Sequence, residues 1–143
     1  MRQVQRSALV PWPAADMFAL VNDIEAYPQF LPWCRAAQVL ARADDGITAR
    51  LDIARGGLHK SFTTRNTLVP AERIHMTLVD GPFKTLDGEW RFTALGEAGC
   101  KVSLDVRFEF SSRMLDLMAG PVFEQICKTL LDAFVKRAGD LHG

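Results

Sequence analysis

The sequence predicts an α+β fold, in which a seven-stranded, curved antiparallel sheet wraps around one long C-terminal helix, with two short helices after the first strand. Three observations lead there. Long central segments alternate apolar and polar residues with a period of two, the pattern of strands with one wet face. Turn residues recur between them at hairpin spacing. From about residue 113 the apolar period becomes 3.6.

Gln3 to Val10 reads as the first strand, closed by Pro11-Trp12-Pro13. Pro13 suits the first position of a helix whose apolar stripe is Met17, Phe18, Leu20 and Val21. Asn22-Asp23 is expected to end that helix, with Asp23 capping a second one that carries Ile24, Tyr27, Phe30 and Leu31. Pro28 and Pro32 keep the second helix short and irregular. Six further strands follow, near 36–42, 47–55, 58–69, 72–79, 83–95 and 99–110. Asp44-Asp45-Gly46, Gly56-Gly57, Pro70-Ala71-Glu72, Asp80-Gly81-Pro82 and Gly96-Glu97-Ala98-Gly99 supply the turns. Gly120-Pro121 predicts a break in the last segment, giving a short helix near 113–119 and a long one from 121 to about 141. A twisted sheet of seven strands leaves a concave face that one helix does not fill, so a cavity is expected beneath it.

Length and composition agree with one domain. The chain has 143 residues, 48% of them hydrophobic, which suffices for one sizeable core. Lys plus Arg and Asp plus Glu each number 17, and neither half of the chain is strongly charged. That argues against DNA binding by bulk electrostatics. Arg35, Arg42, Arg50, Arg55, Lys60 and Arg65 make a modest local basic patch. No apolar run approaches the roughly 18–20 residues of a membrane span. The basic start is not followed by the apolar stretch of a signal peptide. Cys34, Cys100 and Cys127 are odd in number and widely spaced, which predicts free thiols in a reducing, cytoplasmic setting.

Catalytic signals are sparse. His59, His75 and His142 are the only histidines, and no metal-ligand spacing, nucleophile elbow or phosphate loop occurs. No metal or cofactor is expected. Asp52, Asp87, Glu89, Asp105 and Glu109 all fall at the solvent phase of their strands, so no inward acid/base pair forms and no enzymatic role is predicted.

The inward positions point instead to a hydrophobic small molecule. Phe62, Met76, Trp90, Phe92, Phe108 and Phe110 supply a large apolar wall, and Met114, Met118, Val122, Phe123 and Ile126 face it from the C-terminal segment. The same residues also suit an ordinary filled core. Thr64 and Asn66 share the inward phase of Phe62, and Asn66 can bond either a ligand carbonyl or neighbouring backbone. Arg137 lies within the apolar sector of the helix, placed to anchor a polar head group, to snorkel past the sheet end or to pair with an acid. Tyr27-Pro28-Gln29-Phe30-Leu31-Pro32-Trp33-Cys34 is a rigid apolar connector. It reads as a plug at one end of the core, or as a lid or exposed patch for transient contact with a membrane or partner.

That motif, with the Ala133-Phe134-Val135-Lys136-Arg137-Ala138 run of the final helix, resembles the coenzyme Q-binding and ribosome association toxin branch of the START-like superfamily, also described as polyketide cyclase/dehydrase or lipid transport. The resemblance covers nearly the whole chain and implies a single START-like, Bet v1-like domain over 1–143 with the helix-grip fold. It also implies a deep apolar tunnel that holds ubiquinone or another polyprenyl lipid, in a chaperone role that supports respiration. Phe30, Leu31 and Trp33 would then belong to the ligand site with the inward residues named above. Asn66 departs from the apolar residue expected of the branch. The alternative within the same branch is a toxin that binds the large ribosomal subunit and blocks subunit joining. A polyketide cyclase is the third reading, weakened by the lack of inward acids.

Overall fold

The computed structural model describes residues 1–143. Its strands are β1 (Arg2–Val10), β2 (Cys34–Ala43), β3 (Gly46–Arg55), β4 (Leu58–Val69), β5 (Arg73–Asp80), β6 (Phe83–Leu95) and β7 (Gly99–Phe110). They form one antiparallel sheet in the order β1-β7-β6-β5-β4-β3-β2. Each predicted strand is present within two residues at either end, because apolar/polar alternation fixes both the face and the extent of a half-buried strand. Gly56 and Gly57 turn β3 into β4 with φ of 55° and 84°, a left-handed pair that glycine adopts without steric cost.

Register shifts interrupt β2 at Cys34/Ala36 and Val39/Ala41, β5 between Leu78 and Asp80 opposite Thr63/Thr64, and β6 at Phe83/Thr85. Such bulges bend a strand and increase its twist, and so help to curl the sheet around its concave face.

Helix α1 spans Ala14–Asn22, and a 3₁₀ helix covers Ile24–Gln29. Asp23 stands between them as predicted, but its side chain makes no capping bond. Its carbonyl instead accepts from the Ala26 N–H at 3.2 Å. The predicted break at Gly120-Pro121 does not occur, and helix α2 runs unbroken over Arg113–His142. Proline removes the N–H that would bond the Leu117 carbonyl. Leu117 and Pro121 both lie on the exposed side, where water can serve that carbonyl. Ser112 caps α2, its hydroxyl accepting from the Leu115 N–H at 3.0 Å.

The buried side of α2 carries Ala119, Phe123, Ile126, Cys127, Leu131, Phe134 and Ala138. These belong to a core of 34 buried apolar residues. Two aromatic clusters dominate it. Tyr27, Phe30 and Trp90 each meet Phe134 edge-on with centroids 5.3 Å apart. Toward the start of α2, Phe123 packs on Phe108 at 4.7 Å, Phe83 at 5.1 Å and Phe62 at 5.9 Å.

Candidate functional site

Between the two aromatic clusters the inward side chains of the sheet become small. Ala49, Thr64 and Gly88 occupy positions where neighbouring rows carry Phe62 or Trp90. One cross-strand row reads Ile47, Asn66, Met76, Gly88 and Val106. A Cβ at Gly88 would lie 2.6 Å from the Met76 methyl, so the thioether fills the notch that glycine leaves. The result is a hollow of about 80 Å³ under α2, lined by 17 residues of which 14 are hydrophobic. Most of the concave face is therefore packed core. The hollow is small beside the ~300–1,000 Å³ of drug-sized ligand sites, and the deep tunnel implied by the resemblance is absent from this conformation.

Seven of the sequence-predicted site residues line the hollow: Trp33, Phe62, Asn66, Met76, Trp90, Phe123 and Ile126. The others lie elsewhere. Phe108 and Leu31 are buried in solid core. Phe30 packs on Tyr27 and Phe134 at the plugged end. Val122 is half-buried, its methyl 3.7 Å from where a Cβ on Gly56 would stand. Met118 is 73% exposed and Met114 72%, so both expectations of inward packing are overturned. The buried stripe of α2 runs through Ala119, Phe123 and Ile126, about 100° around the helix from Met118. Met118 and Met114 fall on the solvent side of that stripe.

Arg137 reaches neither the hollow nor an acid. Its Nη2 donates to Gln29 Oε1 at 3.0 Å, and its guanidinium sits 5.0 Å over the Phe30 ring. This cation–π stacking ties α2 to the 3₁₀ helix. The Tyr27–Cys34 motif thus closes the core end: the Tyr27 hydroxyl donates to the Val21 carbonyl, and Trp33 and Cys34 are buried. Tyr27 and Trp33 also contribute to the wall of the hollow.

The lining also includes Tyr27, Gly88, Val106 and Cys127, which are not among the predicted ligand residues. Gly88 and Val106 share the inward phase of Trp90 and Phe108, so strand alternation contained the signal. Polar groups in the hollow are few, and no carboxylate or histidine lines it. Asn66 is 5% exposed, and its Oδ1 accepts from the Thr64 hydroxyl at 2.8 Å.

Asp52, Asp87, Glu89, Asp105 and Glu109 occupy the outward phase of the sheet, as expected. The Ser61 hydroxyl and Arg50 hold Asp52 below the usual carboxylate range. No three His, Cys, Asp or Glu side chains gather as a metal-binding group, and no helix is long and apolar enough to cross a membrane.

All three cysteines are free and buried. Burial, reinforced by the Glu124 charge, pushes the Cys127 thiol up to about 12. An unfolded thiol ionises near 8.5. Between those values the unfolded chain loses a proton that the folded chain keeps, so stability falls as pH rises. The expected slope from Cys127 is about 1.4 kcal/mol per pH unit at most. Urea melts at pH 8 and pH 10 should show this loss, and Cys127→Ala should make it shallower. An equal loss in that variant would assign the effect to other groups.

The basic patch expected from sequence does not form one surface. Arg50 and Arg65 lie on the outer face, bonded to Asp52 at 3.2 Å and Asp45 at 2.7 Å. Arg42 and Lys60 sit on the opposite phase, facing Ile47 and Ile53 across β3 and so roughly 20 Å apart. Arg35 falls in the β2 bulge.

Another outer-face group is better assembled. Register places Ser7, Ser103, Arg91 and Arg73 in one row across β1, β7, β6 and β5, with Lys101 in the next row of β7. Arg91 and Arg73 both lean on Glu89, at 3.2 and 3.5 Å, and Lys101 has no carboxylate within salt-bridge reach. Ser7, Arg91, Lys101 and Ser103, with Arg6, Glu89 and Asp105, border a shallow polar depression of about 370 Å³.

The family profile described as polyketide cyclase / dehydrase and lipid transport matches residues 10–135. The ribosome association toxin RatA of Pseudomonas aeruginosa is 49% identical over 140 residues, covering 98% of this chain and 97% of its own. The mitochondrial coenzyme Q-binding protein COQ10 homolog B of Xenopus laevis is 26% identical, covering 99% of this chain and 59% of its own. Among solved structures, the Zhui aromatase/cyclase from Streptomyces superposes with a TM-score of 0.85 at 21% identity, over 96% of this chain and 93% of its own. At that identity the likeness concerns the fold.

Proposed function

Since the chain belongs to the polyketide cyclase / dehydrase and lipid transport family, we propose that it is a non-catalytic binding protein that associates with the large ribosomal subunit and blocks subunit joining. The observation that carries this reading is the whole-chain similarity, at 49% identity, to a protein named for ribosome association. The outer face of the sheet supplies a surface of suitable chemistry. Arg73, Arg91 and Lys101 can meet phosphate oxygens, and Ser7 and Ser103 can donate to them. The net charge of zero confines such contacts to a local patch.

Overproduction tests the proposal. Wild-type protein should deplete joined ribosomes on sucrose gradients. The triple variant Arg73→Glu/Arg91→Glu/Lys101→Glu should bind large subunits about 100-fold more weakly, since it removes three cationic contacts and adds repulsion. Its stability should fall by a modest amount, because Arg73 and Arg91 lose exposed ion pairs to Glu89 and gain like-charge contacts with it on the wet face, each worth about 1 kcal/mol or less. Ribosome profiles indifferent to wild-type protein would refute the association. A triple variant as potent as wild type would keep the association and move the surface elsewhere.

A second reading is favoured by the hollow, an apolar recess with one polar pair. There the protein takes an apolar small molecule, and the coenzyme Q-binding relative makes a ubiquinone-like lipid the reference case. A polyprenyl tail needs more room than about 80 Å³, so this reading requires α2 to move from the sheet. Ubiquinone transport therefore ranks behind ribosome association. The cyclase reading is weaker again, because the acids face outward and no carboxylate or histidine lines the hollow.

A further inference from the structure

The hollow is apolar except for the Thr64–Asn66 pair. Asn66 is 95% buried by its 5% exposure, stands mid-row between Ile47 and Met76, and belongs to the lining. Its Oδ1 is taken by the Thr64 hydroxyl at 2.8 Å, which fixes the orientation of the carboxamide. Its NH₂ group makes no hydrogen bond within the chain, and its nitrogen is not among the fully buried unpaired polar atoms, so it keeps open space beside it, in keeping with its place in the lining of the hollow. A water beside this amide would find few other polar partners in so apolar a recess, so a ligand that supplies an acceptor gains a hydrogen bond that a pure hydrocarbon cannot make.

Resting on the reading that the hollow takes a small molecule, we infer that Asn66 is its specificity-determining residue, selecting compact apolar molecules that carry a carbonyl oxygen over hydrocarbons of the same shape. Geometry adds two constraints. The acceptor must point toward the middle of β4, where Asn66 sits, and its apolar body must lie against Trp90 and Phe123. Met76 is the adjustable wall. Its methyl rests over Gly88, and an unbranched thioether can swing aside to admit a ring. Thr64 is a positioning residue, acting through the carboxamide that it holds.

The test compares cyclopentanone with methylenecyclopentane, which replaces C=O by C=CH₂ in the same outline. Each is titrated into the full chain and followed by NMR of the Trp90 and Met76 side chains. In wild type both should saturate. Asn66→Leu keeps the branched outline with a somewhat larger volume that both ligands meet alike, and relative to the alkene it should weaken the ketone about five- to tenfold, the loss of one hydrogen bond. Thr64→Val should lower the ketone preference by a smaller factor. If Asn66→Leu weakens both ligands equally, or neither, the selectivity role is overturned and the hollow still stands as a binding site. If neither ligand saturates the wild-type protein, the hollow fails as a binding site and the inference fails with it.

Discussion

Phe134→Ala is expected to cost about 3–5 kcal/mol of folding stability, the range for deleting a fully buried aromatic ring. Phe134 has 0% exposure and is the shared partner of Tyr27, Phe30 and Trp90. Removing its ring takes away the aromatic contact of α2 with the Tyr27–Cys34 connector and opens a cavity bordered by α2, the 3₁₀ helix and β6. Three rigid rings and two prolines cannot collapse into it, so the cost should fall at the upper end of the range. A domain of this size has a total stability of roughly 5–15 kcal/mol, so the variant is pushed toward marginal folding. Urea denaturation followed by far-UV circular dichroism measures the change. A loss below about 1 kcal/mol would mean that the connector is held by something else. Arg137 on Phe30 and the Tyr27 bond to Val21 are the remaining ties.

Ile126→Asp should have the second large effect. Ile126 is 2% exposed and lines the hollow, whose lining holds no cation to pair with a carboxylate. An unpaired buried carboxylate lifts its own pKa well above the unfolded value of about 3.9. For an acid raised in this way, the folded state keeps a proton that the unfolded state sheds, and stability falls as pH climbs above about 4. The variant should therefore lose several kcal/mol at pH 7 and regain part of that at pH 4. Any apolar molecule that co-purifies with wild type should be missing from it. Equal stability at the two pH values would show that water or a moved side chain solvates the charge. A retained ligand would place the binding site outside the hollow.

The sheet was legible because alternation is a strong constraint: a one-residue slip in β6 would turn Trp90 and Phe92 out to water and Glu89 and Arg91 in. The hollow was less legible, since it arises from what is missing. Ala49 and Gly88 signal room only when β3 and β6 are known to bring them under α2, and that placement is a tertiary fact. Helix α2 shows the opposite failure. Met114 and Met118 fit an apolar sector when every residue from 113 onward is put on one wheel. In the structure the buried stripe begins only at Ala119, because nothing covers the solvent side of the first turns. Pro121 looked like a boundary for a related reason. Local rules record its missing N–H but not that the orphaned carbonyl faces solvent. Arg137 found an amide and a ring face rather than an acid, a choice set by the neighbouring 3₁₀ helix and invisible in spacing.

The pairing of β1 with β7 has a consequence for how the chain is made. Val10 lies opposite Cys100, and Arg2 opposite Phe108. At synthesis rates of about 5–20 residues per second, the N-terminal strand waits on the order of 5–20 s for its only neighbour to be translated. For that interval its main-chain donors and acceptors are satisfied by water alone. The Val4 and Val10 side chains remain exposed, and the strand is available to any edge that passes. The alternating Gln3, Gln5 and Ser7 on its other side keep the waiting segment hydrated. Closure of the sheet is thus a late, long-range event, and slowing elongation or trimming β1 should register first as misassembly of nascent chains rather than as a weaker finished protein.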